Sequence, residues 1–322
     1  EPRRWHGFAG RCAGRLGLAP DRQPAGAGMR ARIAGLEVNQ IGRTPWPLTV
    51  LAYGLPTFFI LIPLLSFLTY SFFWVKGTEL HSSFQDLTFL NYVRIFTDQI
   101  YLPVLWRTTV LCLEVAVLTV CFGYPVAYFL ASLQGRKKYI FLMLLLVPLL
   151  MSYVIKIYAI RSILGGNGFL NRFLMASGLI DQPLTFFVFN LQAVLLALTV
   201  LLIPFAVLPI FLSLEKLPRN LLEASADLGA SELQTFLRVV LPMSLPGVIA
   251  AASFVFVLAI GDFLTPQMVG GNSGFTFGRI IYSQFGTAYN WPFGSALSVL
   301  LCAVVIIAIV VGSRFGNKRG LA

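Results

Sequence analysis

Two carboxylates stand in runs that are otherwise almost bare of charge: Glu114 in LCLEVAVLTV and Asp262 in AIGDFLTP. An ionised group is costly to hold in apolar surroundings, so each is a candidate for taking up a cation or a proton. A hydrogen bond to a neighbouring helix is an equally good use of either one. Other reactive constellations are missing. The sequence has no HExxH and no GxSxG, and His6 and His81 are far apart. Cys12, Cys112, Cys121 and Cys302 show neither CxxC nor Cys/His ligand spacing. They read as small apolar packing residues, not as a zinc site or a disulfide framework.

The other unusual stretch is EASADLGASELQTFLRVVLP, residues 223–242, polar and sharply punctuated between two hydrophobic runs. Pro218 suits a first helical position, where its missing N–H costs nothing. RNLLEASADL then reads as a short helix that Gly229 ends in the left-handed conformation. Ser231 is placed as an N-cap, with Gln234 three residues on to complete a capping box. A second helix, ELQTFLRVVL, runs to Pro242, where the next apolar segment is expected to begin. Leu221, Leu222, Ser225 and Leu228 recur at helical spacing, and Glu223 and Asp227 lie at i and i+4 on another face. Such a hairpin can be a docking element for a basic partner; a merely amphipathic loop fits the spacing equally well.

The elements around these residues set their environment. Of 322 residues, 57% are hydrophobic and 11% charged, against about 25% charged in a soluble domain. Runs at 48–75, 104–133, 139–164, 188–214, 243–262 and 294–313 each reach the roughly 20 residues that cross a bilayer as a helix. They are continuous Leu/Val/Ile/Phe runs, whereas barrel strands would alternate. The reading is an all-α membrane protein with about six transmembrane helices.

Basic residues punctuate alternate loops. Eight arginines from Arg3 to Arg43 precede the first run, Arg136, Lys137 and Lys138 follow the second, Lys216, Arg219 and Arg238 the fourth, and Arg314, Lys318 and Arg319 the last. This is the positive-inside pattern, which places both termini and the 218–242 hairpin in the cytoplasm. Nucleic-acid binding would need those residues gathered on one soluble face, so it is set aside. Residues 1–47 carry no apolar leader and are expected to be a basic, disordered segment, while 314–322 form a short tail. Met29 opens a more ordinary stretch, so the residues before it are expected to be disordered or to stem from an upstream start site.

The hairpin resembles the EAA loop of permease subunits in ATP-binding-cassette importers: EAA, three residues, Gly, nine residues, Ile-x-Leu-Pro. Glu223-Ala224-Ser225 matches with Ser for the second Ala, Gly229 is in register, Val239 stands for Ile, and Leu241-Pro242 completes the spacing. Further stretches such as TFLNYVRIF, FGYPVAYFLA, IDQPLTF and YNWPFGSA look like the spermidine/putrescine permease branch. The resemblance implies a type I importer permease fold, its core over 104–313 following a first helix at 48–75. It also implies coupling to a cytosolic ATPase through Glu223, Ala224, Ser225, Asp227, Gly229, Leu241 and Pro242.

On this reading the chain is not an enzyme and binds no cofactor. It lacks a GxxxxGK[ST] phosphate loop, so ATP and Mg would sit on a separate ATPase subunit. The other implied partners are a second permease subunit, a periplasmic binding protein and membrane lipid, in a bacterial inner membrane. A polycationic cargo would be held by Glu114 and Asp262 and by aromatic faces from Tyr153, Tyr158, Phe254 and Trp291. Lys156 and Arg161 would repel such a cargo, and are expected to face headgroups or a partner subunit. They suit an anion instead, which keeps another small solute open. An ion-coupled secondary transporter using Glu114 and Asp262 is the reading from a different class.

Overall fold

A computed structural model describes residues 46–76, 79–81, 87–184 and 189–317. The expectations for residues 1–45 and for the end of the tail lie outside them. The chain divides into two units, Glu1–Leu64 and Leu65–Ala322. The described part of the first unit is the apolar run that opens helix α1 (Trp46–Tyr70), which holds no charged residue and ends in the second unit.

In the second unit, α1 is followed by strands β1 (Trp74–Lys76) and β2 (Glu79–His81), paired antiparallel with Val75 opposite Leu80. Helix α2 (Leu90–Thr97) is amphipathic and is tied to the end of α1. Buried Asn91 donates from Nδ2 to the carbonyls of Ser71 (2.9 Å) and Phe73 (2.7 Å), and the Tyr92 and Ser71 hydroxyls meet at 2.8 Å. Those contacts satisfy the carbonyls that the end of a helix leaves open.

The chain then forms α3 (Tyr101–Ser132), α4 (Arg136–Leu150), α5 (Tyr153–Leu164), α6 (Phe169–Ala176) and α7 (Leu191–Glu215). After these come α8 (Arg219–Asp227), α9 (Glu232–Thr235), a π-helical turn at Phe236–Val240, and α10 (Leu241–Gly261). Helices α11 (Leu264–Val269), α12 (Phe277–Gly286) and α13 (Trp291–Asn317) complete it. Five continuous helical segments among the described residues are long and apolar enough to span a membrane. The sixth expected span, 139–164, is broken: α4 and the segment from α5 through α6 meet at 94°. Met151 and Ser152 are both extended there, so the backbone cannot carry one helix through them.

The core lies where α3, α7 and α10 pack on one another through Leu111, Val115, Ala127, Leu198, Ala206, Val207, Ala251 and Val255. Lipid chains are as apolar as leucine, so the hydrophobic effect does not hold these helices together; close packing must. Small residues allow it. A Cβ on Gly247 of α10 would approach the Pro209 carbonyl of α7 to 2.8 Å and run into the Ser213 side chain. Gly247→Val should therefore cost about 1–3 kcal/mol by overpacking. Unfolding by SDS titration in mixed micelles measures this, and a variant as stable as wild type contradicts the packing account.

Candidate functional site

The hairpin folds as its residues demand. Helix α8 starts after Pro218 and ends at Gly229, whose φ is +75°. The Gly229 N–H donates to the Ala226 carbonyl (2.9 Å) and the Ala230 N–H to that of Ser225 (3.0 Å). This pair of bonds closes the helix only around a left-handed residue, which glycine adopts without strain. Ser231 then caps α9: its hydroxyl accepts from the Gln234 N–H (3.3 Å), and the Gln234 side chain accepts from the Ser231 N–H (3.2 Å). Ser225, the departure from the EAA pattern, clasps the two arms. Its hydroxyl donates to the Leu222 carbonyl (2.9 Å) and meets Thr235 Oγ1 at 2.8 Å. Thr235 carried no signal of this in the sequence, because the contact depends on how the arms cross.

Outward, the hairpin presents Glu223, Ala224 and Asp227, all exposed, beside Leu228 and Leu233, which are 87% and 67% exposed. Leucines held this far out of a packed surface are available to another protein. Inward, Pro242 does not end the second arm. The chain is one helix from Glu232 to Gly261, carried past the proline by the π turn, where the Leu241 N–H bonds to the Phe236 carbonyl. A proline ring clashes with the carbonyl four residues before it, and a locally wider turn relieves that clash. Leu241 and Pro242 are thus the joint between hairpin and α10, and not a boundary.

Beneath the hairpin is a cavity of 190 Å³ lined by Tyr128, Ser132, Leu222 and Val240, with Lys138 and Glu215 at its rim. Lys138 Nζ donates to Glu215 Oε1 (2.6 Å) and lies 5.0 Å over the Phe211 ring. The Phe236 ring stands edge-to-face on Tyr124 and Tyr128, and the Tyr124 and Ser244 hydroxyls meet at 2.8 Å. Only Glu215, an acid closing the apolar run of α7 ahead of a basic loop, left a trace of this arrangement in the sequence.

The six pathway candidates are not one cluster. Tyr153 and Asp262 do meet, at the other end of α10. The Tyr153 hydroxyl donates to Asp262 Oδ2 (2.6 Å) and lies 3.0 Å from Thr265 Oγ1. Asp262 Oδ1 accepts from the Leu264 and Thr265 N–H groups (2.9 and 3.3 Å), capping α11. Glu114 is exposed on α3 and Tyr158 on α5; Phe254 packs edge-on against Phe205, and Trp291 against Phe285. Lys156 lies 5.4 Å over the Tyr153 ring and Arg161 5.4 Å over Phe189, so both cations are held by the protein's own aromatics.

The family model described as "Binding-protein-dependent transport system inner membrane component" matches residues 46–315. Over 266 residues the chain is 37% identical to the spermidine/putrescine transport system permease protein PotB of Escherichia coli (strain K12), covering 81% of this chain and 94% of that one. It is 34% identical over 262 residues to the protein of the same name from Haemophilus influenzae, covering 81% and 90%. Among solved structures, a bacterial alginate ABC transporter in complex with alginate pentasaccharide-bound periplasmic protein superposes with a TM-score of 0.66 at 14% identity. That match covers 87% of this chain and 96% of the other, and shows the shared fold.

The clasp between the arms is measurable. In a double-mutant cycle of Ser225→Ala and Thr235→Val, a coupling of about 0.5–1.5 kcal/mol is expected. Stability in mixed micelles gives the four values, and strictly additive single effects would show that the two hydroxyls do not act as a pair.

Proposed function

The chain belongs to the binding-protein-dependent transport system inner membrane component family, and from that footing we propose that it is the permease subunit of an ATP-driven importer of polyamines such as spermidine and putrescine. The membership makes it a multi-pass inner-membrane protein. The observation that carries the cargo is its 37% identity to a spermidine/putrescine permease across nearly all of that protein's length.

The hairpin at 218–242 is the coupling element. It seats in a cleft of a cytosolic ATPase subunit, with Glu223 and Asp227 toward basic groups and Leu228 toward an apolar pocket. ATP and Mg are held by that subunit, and this chain contributes no catalytic residue. A second, different permease subunit completes the pathway, and a loaded binding protein docks on the periplasmic side. Both termini lie in the cytoplasm, supported by the positive-inside pattern. Closure of the ATPase pair shifts the hairpin, and the continuous helix Glu232–Gly261 passes the shift to Asp262. No step in this chain makes or breaks a bond; the device needs two packings of similar energy that its partners bias.

Radiolabelled putrescine and spermidine uptake tests this, in cells lacking the permease but retaining its operon partners. Wild type should restore uptake, and Gly229→Asp should abolish it at equal membrane level, because a Cβ strains the left-handed turn and the added carboxylate sits in the docking face. Uptake that survives a proton uncoupler and stops on ATP depletion is expected; the reverse would mean an ion-coupled carrier. Well-inserted wild type that moves neither compound would move the cargo to another solute. Asp262→Asn keeps the side-chain shape and removes the charge, and should lower polyamine uptake about tenfold if the carboxylate meets the cargo.

A further inference from the structure

Five aromatic rings among the described residues carry a cation of the protein itself. Arg94 lies over Phe293, Lys138 over Phe211, Lys156 over Tyr153, Arg161 over Phe189 and Arg279 over Phe275, all at 4.7–5.4 Å from the ring centre. The aromatic cluster at the end of α1 has no such guest, and it lines a cavity. Between the end of α1 and the start of α13 lies a cavity of 260 Å³ lined by Ser66, Phe67, Tyr70, Trp291 and Ser295. Phe285 backs it, edge-to-face with both Phe67 (6.1 Å) and Trp291 (5.9 Å). The walls are open to a ligand: Phe67 and Trp291 are each about half exposed. Ser295 is the opposite, 1% exposed, and its hydroxyl has no hydrogen-bond partner.

We propose that this cavity binds a primary alkylammonium group, with the ammonium against the Phe67, Tyr70 and Trp291 rings and one of its N–H bonds on Ser295 Oγ. The ligand class follows by elimination. Aromatic faces are negative and attract a cation, most strongly at Trp. An anion would meet those faces unfavourably, with no Lys or Arg in the lining to offset them. An alkane would fill the space but leave the buried Ser295 hydroxyl unpaired, which is the costly case. A quaternary ammonium suits the faces yet has no N–H to donate. Room is sufficient, since a cavity of roughly 150 Å³ already takes up benzene.

A primary ammonium can come from a free diamine or from an ethanolamine lipid headgroup; Trp291 and Tyr70 are the residue types that collect at the membrane interface, where both are found. An aromatic series also leads from the cavity toward Asp262. Tyr282 of α12 stacks on Phe263 at 4.5 Å, and Phe285 lies one turn further along the same helix. The free-diamine source rests on the polyamine reading above, whereas the site does not.

The test uses the complete transporter in nanodiscs, without its binding protein and without ATP. Radiolabelled putrescine binding is measured in phosphatidylcholine discs for wild type, Ser295→Ala, Ser295→Thr and Trp291→Leu. Losses of about tenfold in the Ala and Leu variants, with binding kept in the Thr variant and no competition from 1,4-butanediol, assign the site to a free diamine. If these variants leave putrescine binding unchanged, native mass spectrometry of discs containing phosphatidylethanolamine decides. Retention of that lipid by wild type and its loss from the Ala and Leu variants assigns the site to the headgroup. Butanediol competing as well as putrescine, or neither ligand responding to the variants, overturns the proposal. Wild-type cells failing to import polyamines would sink the cargo reading alone, because the variant pattern with the lipid would still stand.

Discussion

In a bilayer the hydrophobic effect gives no reason for one apolar helix to prefer another, and this constraint governs the second unit. Helix α7 is apolar on nearly every side, and it is held between α3 and α10 by fit: Ala206 and Gly123 let backbones approach, while Val207 and Ile210 fill the space between. Polar groups are used sparingly and at the ends. Tyr124–Ser244 and Lys138–Glu215 tie the hairpin end, and Tyr153–Asp262 and Thr108, which accepts from the Phe277 N–H at 2.9 Å, tie the other. The middle is left to packing, so sliding there breaks few hydrogen bonds, and the discrete contacts that define a state sit at the two ends.

Those ends are joined by one continuous helix. From Glu232 to Gly261 the chain is a single helix, about 45 Å long at 1.5 Å per residue. It is capped below by the Ser231–Gln234 box and ends above at Asp262, whose side chain starts α11. The π turn at Phe236–Val240 is the one departure from regular geometry in it. It lies where Phe236 is gripped by Tyr124 and Tyr128. A displacement of the hairpin therefore has two outlets: rotation at the π turn, or transmission to the Tyr153–Asp262 contact. The aromatic grip on Phe236 opposes the first and favours the second.

Much of this was legible in the sequence, and the division follows the range of each interaction. Gly229, Ser231 and Gln234 were readable because helix caps are settled within a few residues. The spans were readable because hydropathy sums over twenty. The break at Met151–Ser152 was not: both residues sit in an unbroken apolar run, and nothing in their types forces extended backbone. Pro242 misled for a different reason, since a proline marks a boundary in most helices and is absorbed here by a π turn. Ser225–Thr235 and Tyr153–Asp262 pair residues that are, respectively, ten and 109 positions apart, and no local pattern announces such a meeting. Of the six pathway candidates, chemistry picked the residue types and tertiary structure brought two together.

On the pathway reading proposed above, the Tyr153–Asp262 contact bears on how tightly Asp262 can hold a cation. Every acceptor direction that the fold uses on Asp262 is already matched, one oxygen by two backbone N–H groups and the other by the Tyr153 hydroxyl. An arriving ammonium would meet the remaining acceptor site of Oδ2, beside the Tyr153 hydroxyl that also lies near Thr265. The carboxylate charge is already shared among three neutral donors, so the attraction left for an ammonium is smaller than a bare carboxylate would offer. Lys156, parked over the Tyr153 ring, adds repulsion at that point. A site so arranged would hold a cation less tightly than a bare carboxylate would. For a conduit this is the useful regime, because a cargo must leave as readily as it enters.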